Sequence, residues 1–125
     1  MRSKMAHRAF RFLFFILIGL SIQGCYQPDT RASVQVIQAG NFAPGQLEAH
    51  YLKHGDQLGY NTQEQYLQGA RSLLNASPGK DVLEKIRPNG DMEHYRMSSG
   101  EFAVMTKSGR IRTYFKTDYF YWIRQ

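Results

Sequence analysis

Three turn signals at near-regular spacing constrain the second half of this chain more than any other feature. They are Pro88-Asn89-Gly90-Asp91, Ser98-Ser99-Gly100 and Lys107-Ser108-Gly109. Short β-prone runs lie between and around them, at residues 82–87, 92–97, 101–106 and 110–116. Asn-Gly and Ser-Gly between such runs are hairpin signals, because glycine supplies the positive φ of a tight reversal. Hairpins in succession make an antiparallel four-stranded meander. The last two runs alternate. Phe102, Val104 and Thr106 oppose Ala103 and Met105, and Ile111, Thr113 and Phe115 oppose Arg110, Arg112, Tyr114 and Lys116.

The stretch before the meander has helical spacing instead. Leu47, His50, Tyr51 and His54 fall at i, i+3, i+4 and i+7, one face of a short helix that Gly55 is placed to end. A second helix starts at Asn61 or Thr62, and Thr62 to Gln65 has capping-box spacing. Its apolar stripe is Tyr66, Leu67, Ala70, Leu73 and Leu74, and Asn75, Pro78 and Gly79 close it. Two helices followed by an antiparallel meander define an α+β fold. The expected core includes Leu73, Leu74, Phe102, Val104 and Phe115. The aromatic tail, residues 118–125, is expected to pack rather than dangle.

The N-terminus carries an address. Arg2, Lys4, Arg8 and Arg11 precede an apolar run over residues 12–20, and Gly24 then precedes the single cysteine, Cys25. This is the pattern of a secretory signal, with an apolar region too short for a good membrane span. Ile22-Gln23-Gly24-Cys25 resembles a bacterial lipobox, in which the cysteine is lipid-modified and becomes the new N-terminus. The alternative is an uncleaved N-terminal anchor. The expected organisation is a lipoprotein signal at 1–24, a tether at 25–45 and a domain at 46–125. Tyr26 follows the cysteine, and the expected location is the bacterial envelope, at the outer membrane. The segment before Cys25 holds four of the 16 Lys and Arg and none of the ten acids, so the remainder carries only +2. No cysteine is left for a disulfide, and an exported domain of this size must rely on packing.

Two constellations bear chemistry. His50 and His54 share a helix face at a spacing that suits a metal, an acid–base pair or a hydrogen-bonded structural pair. No His-Glu-x-x-His arrangement exists, and only His94 and Asp91 stand as further ligands. Arg110, Arg112, Tyr114 and Lys116 share a strand face that suits either a phosphate-rich ligand or solvent. Thr113 lies on the opposite side by alternation. Arg112 and Thr113 therefore meet at one pocket only through a bulge or an edge position.

The ordered set His50-Tyr51-Leu52-Lys53-His54-Gly55, Tyr66-Leu67 with Ala70, Gly90-Asp91, Glu101-Phe102-Ala103-Val104 and Gly109-Arg110-Ile111-Arg112-Thr113-Tyr114-Phe115 resembles the C-terminal domains of bacterial polymorphic toxins. Those domains are grouped with the barnase, colicin D and RelE-like ribonucleases. The resemblance implies a metal-independent RNA endonuclease without cofactor, directed at RNA, often transfer RNA, and leaving a 2′,3′-cyclic phosphate. It implies His54, Arg112 and Thr113 as active-site positions, with His50 beside them. Lys53, Arg110 and Tyr114 would contact the substrate. A membrane contact through lipid on Cys25 and an immunity protein complete the expected partners. The competing reading is a non-catalytic, surface-tethered binding lipoprotein that uses residues 119–122 as its interface.

Overall fold

The computed structural model describes residues 36–125. Cys25, the signal segment and the first part of the expected tether lie outside the described residues. The apolar spacing of the first half produces two helices, α1 over Gln46–Leu58 and α2 over Gln63–Leu74. At the start of α2, Thr62 Oγ1 accepts from the Gln65 N–H at 3.1 Å. Gln65 Oε1 reaches back to the Asn61 N–H, also at 3.1 Å. Both bonds satisfy donors that no helical carbonyl can reach. The whole stripe of Tyr66, Leu67, Ala70, Leu73 and Leu74 is buried.

Gly55 does not end α1. It lies buried inside the helix, where an added Cβ would stand 2.6 Å from the Tyr51 ring. The reversal comes one turn later, at Gly59 with φ 78°. There the Tyr60 N–H bonds the Gly55 carbonyl at 3.0 Å and the Gly59 N–H bonds the Asp56 carbonyl at 3.1 Å. This pair of bonds closes a helix through a left-handed residue. Glycine serves packing at 55 and the turn at 59.

The strands are β1 over Val82–Ile86, β2 over Met92–Arg96, β3 over Glu101–Met105 and β4 over Ile111–Lys116. They form one antiparallel sheet in the order β1-β2-β3-β4. The fold class is α+β, as the turn signals require. One element was not expected as a helix: α3, over Tyr119–Ile123. Asp118 opens it by accepting from the Tyr121 N–H at 2.7 Å.

The helices fill one side of the sheet and α3 the other. Tyr66, Leu73, Ala103, Met105, Ile111 and Tyr114 belong to the first core, and Tyr95, Phe102, Val104 and Trp122 to the second. All five residues of β3 are therefore buried. Among the expected core residues, Leu73, Leu74, Phe102 and Val104 are buried and Phe115 is half-buried. Lys85 pins α3 down: its Nζ donates to the Trp122 carbonyl at 2.8 Å and sits 4.1 Å above the indole.

The expected tether boundary at residue 45 is too late. Ala39 and Phe42 are buried in the first core. The Ala39 N–H bonds Asn75 Oδ1 at 2.7 Å, the Gly40 N–H bonds the Gly109 carbonyl at 2.8 Å, and Arg71 Nε donates to the Gly40 carbonyl at 2.8 Å. Residues 39–45 thus belong to the domain, because two apolar side chains and several backbone groups find partners there. Val36 and Ile37 are exposed and form no strand. Among the described residues no helix is long and apolar enough to cross a membrane.

Candidate active site

Strand β4 is an edge strand, and α1 packs along it. An open groove of about 490 Å³ forms where α1, β4 and α3 meet. Ala49, His50, Lys53 and His54 line it from α1, Thr113 and Phe115 from β4, and Tyr121 from α3. The α1 residues face the groove together because i, i+3 and i+4 share one helix face.

A bulge decides what β4 contributes. Val104 pairs with Thr113, but Met105 pairs with Ile111, so Arg112 is left without a partner on β3. The extra residue breaks the simple alternation. Ile111 joins Tyr114 in the helix-side core, while Thr113 and Phe115 turn to the groove.

The two histidines differ in surroundings. His50 lies 5.0 Å from the Phe42 ring, and its Nδ1 is enclosed with no hydrogen-bond partner. His54 stacks on Phe115 at 5.3 Å, with 29° between the rings. The imidazole centres are 6.2 Å apart. Burial, then the Lys53 charge, pushes the His50 pKa below its ordinary value. The same two causes in the same order, followed by His50 itself, lower that of His54. The neutral form of both imidazoles is therefore favoured at pH 7.

Four of the expected site residues, His50, Lys53, His54 and Thr113, come together in this groove. Three others do not. Arg112 projects from the bulge to Asp91, with Nε 2.6 Å from Oδ2, and does not line the groove. Asp91 is itself buried and held by Asn89. Tyr114 is corrected outright as a substrate contact. It is fully buried, its hydroxyl donates to Glu101 Oε1 and lies 3.0 Å from the Tyr60 hydroxyl, and its carbonyl accepts from the Tyr66 hydroxyl. Burial, followed by the Glu101 hydrogen bond, pushes its pKa far upward. Arg110 is exposed and lines a separate cleft with Asn41, Phe42 and Ser108.

His94 is no free ligand either. It is buried between the Leu73 carbonyl, 2.7 Å from Nδ1, and Glu84 Oε2, 2.8 Å from Nε2. Among the described residues no three metal-capable side chains cluster. Three groove residues were not expected at a catalytic site: Ala49, Phe115 and Tyr121, the last of which figured only in the competing interface reading. No periodicity marks Tyr121, because its position depends on α3 folding back over the sheet.

Comparison with protein-family models gives no match, and comparison with curated proteins gives none either. Geometry and chemistry must then carry the functional reading.

Proposed function

We propose that the groove is the active site of a metal-independent RNA endonuclease. The observation that carries the reading is the meeting of two imidazoles of lowered pKa, an ammonium and a hydroxyl in one open groove. RNA brings its own nucleophile, the 2′-hydroxyl beside the scissile phosphate. His54 takes its proton, as a neutral imidazole can. His50 resists protonation, because a second N–H would lie on the enclosed Nδ1 with no acceptor. Its role is to donate one hydrogen bond from Nε2 to a phosphoryl oxygen. Lys53 balances the charge that develops on the phosphate and supplies the proton for the departing 5′-oxygen. Thr113 gives a further hydrogen bond. Phosphate stabilisation thus falls to Lys53 and Thr113 rather than to Arg112, which Asp91 engages. The product carries a 2′,3′-cyclic phosphate.

The enzyme would be exported and held at the bacterial envelope by lipid on Cys25, with an immunity protein to protect its producer. Mass spectrometry finding a free Cys25 thiol behind a retained signal would contradict the anchoring. For the activity, purified protein is incubated with transfer RNA and with single-stranded RNA. Cleavage of either is expected, and cleavage of neither overturns the reading. One observation favours the second reading, a non-catalytic binding lipoprotein: Tyr119, Phe120 and Ile123 of the short helix α3 are exposed apolar side chains. Trp122, expected in that interface, is buried instead.

A further inference from the structure

We infer that Tyr121 is a base-stacking residue, and that the groove takes an unpaired nucleotide rather than a base-paired one. The inference rests on the ribonuclease reading for its choice of ligand and on separate observations for its residue. The groove has two unlike walls. His50, Lys53 and His54, with Thr113, are polar and can meet a phosphate, whereas Phe115 and Tyr121 are aromatic. A nucleotide is likewise two-sided, with an anionic phosphate at one end and a flat π-system at the other.

The aromatic rings are not equally available. His54 already stacks on Phe115, and Phe102 behind it is buried. Tyr119 and Trp122 stack on each other at 5.7 Å, and Trp122 stacks on Tyr95 at 6.0 Å. Tyr121 is half-buried and lines the groove. Its hydroxyl has no hydrogen-bond partner among the described residues, so nothing ties the tip of the ring down.

Tyr121 is nevertheless held in place. Phe102 and Phe115 each contact it at 5.5 Å in edge-to-face geometry. Asp118 caps its N–H, and Lys85 anchors the next residue's carbonyl. A ring fixed before binding loses little freedom when a base stacks on it. A base inside a duplex has both faces covered by neighbouring bases and cannot also cover a protein ring. Stacking on a side chain therefore selects a splayed-out base from a single strand, loop or end.

The test uses the full chain in detergent and an uncleavable 2′-O-methyl oligonucleotide, single-stranded or annealed to its complement. Fluorescence anisotropy reads the affinity. Tyr121→Leu should weaken single-strand binding by about 5- to 150-fold, the range of one lost base stack. Duplex binding should be weak and should not change. Phe120→Leu, an exposed neighbour outside the groove, should bind the single strand as the wild type does. Unchanged single-strand affinity in Tyr121→Leu, or an equal loss on duplex, overturns the inference. Should Tyr121→Leu unfold, the wild type still decides. Titration with adenosine 3′-monophosphate should move the Tyr121 ring-proton resonances upfield, and unmoved resonances at saturation overturn the inference. Normal oligonucleotide binding without RNA cleavage would sink the ribonuclease reading and leave this one standing.

Discussion

Two polar–aromatic clusters flank β4, and they are built to opposite rules. On the helix side, Tyr114, Tyr60, Glu101, Ser99 and Arg96 form a network in which each carboxylate oxygen of Glu101 has a donor. Burial would raise the Glu101 pKa. Hydrogen bonds from Ser99 and Tyr114 and the Arg96 charge outweigh it and hold the carboxyl below its ordinary value. In the groove, His50 Nδ1 has no partner, and burial beside a lysine lowers the pKa of both imidazoles. A satisfied buried network stabilises a fold, whereas the enclosed, unpaired His50 Nδ1 is a cost that the fold carries beside the groove. Thr113 and Tyr114, adjacent between Arg112 and Phe115, thus face opposite sides: Thr113 lines the groove, and Tyr114 is locked into the buried network.

The largest effect expected from breaking this contrast is on the groove side. His54→Ala should lose on the order of 10²–10⁴-fold in RNA cleavage, the usual cost of removing an acid–base group. Its circular dichroism should match the wild type, because Leu47 and Tyr51 still pack α1 against the core. Unfolding of that variant would return His54 to a structural role. On the network side, Tyr114→Phe should cost about 1–3 kcal/mol of stability, since it strips a donor from Glu101 and a partner from Tyr60. Denaturant unfolding measures this, and activity per folded molecule should stay the same. A stable but inactive Tyr114→Phe would break the division between the clusters.

The smallest effect sharpens the electrostatics of the groove. With His54 as the proposed base, the rate should rise with pH as it loses its proton. Because its pKa is lowered, the midpoint of that rise should lie below 6.5. Besides the rate lost with the proposed proton donor, Lys53→Met removes a positive neighbour, which favours the imidazolium and should move the midpoint upward. The pH dependence of kcat/KM reads the shift directly, and a midpoint that stays put would remove Lys53 from the site's electrostatics.

The helices and the meander were legible because each rests on local physics. The stripe from Tyr66 to Leu74 has one period and one buried face. The turn glycines Gly90, Gly100 and Gly109 have φ of 86°, 73° and 87°, as their turns demand. What could not be read depends on tertiary partners. Gly55 has the composition of a helix stop but is used to admit the Tyr51 ring. The bulge at Arg112 has no sequence marker, and it redirects Ile111 and frees Arg112 for Asp91. The α3 helix exists because Asp118 caps it and Trp122 finds Tyr95. His50, His54 and Thr113 were singled out by type and resemblance, and their meeting needed an edge strand beside α1 that no periodicity reveals.

The most direct measurement of the central claim is the chemistry of the cut end. RNA labelled at its 5′ end is incubated with the purified protein in excess chelator, and the new 3′ ends are analysed. Imidazole catalysis through the 2′-hydroxyl predicts undiminished cleavage and 2′,3′-cyclic phosphate ends. Ends bearing a free 3′-hydroxyl, or cleavage that the chelator abolishes, would contradict it.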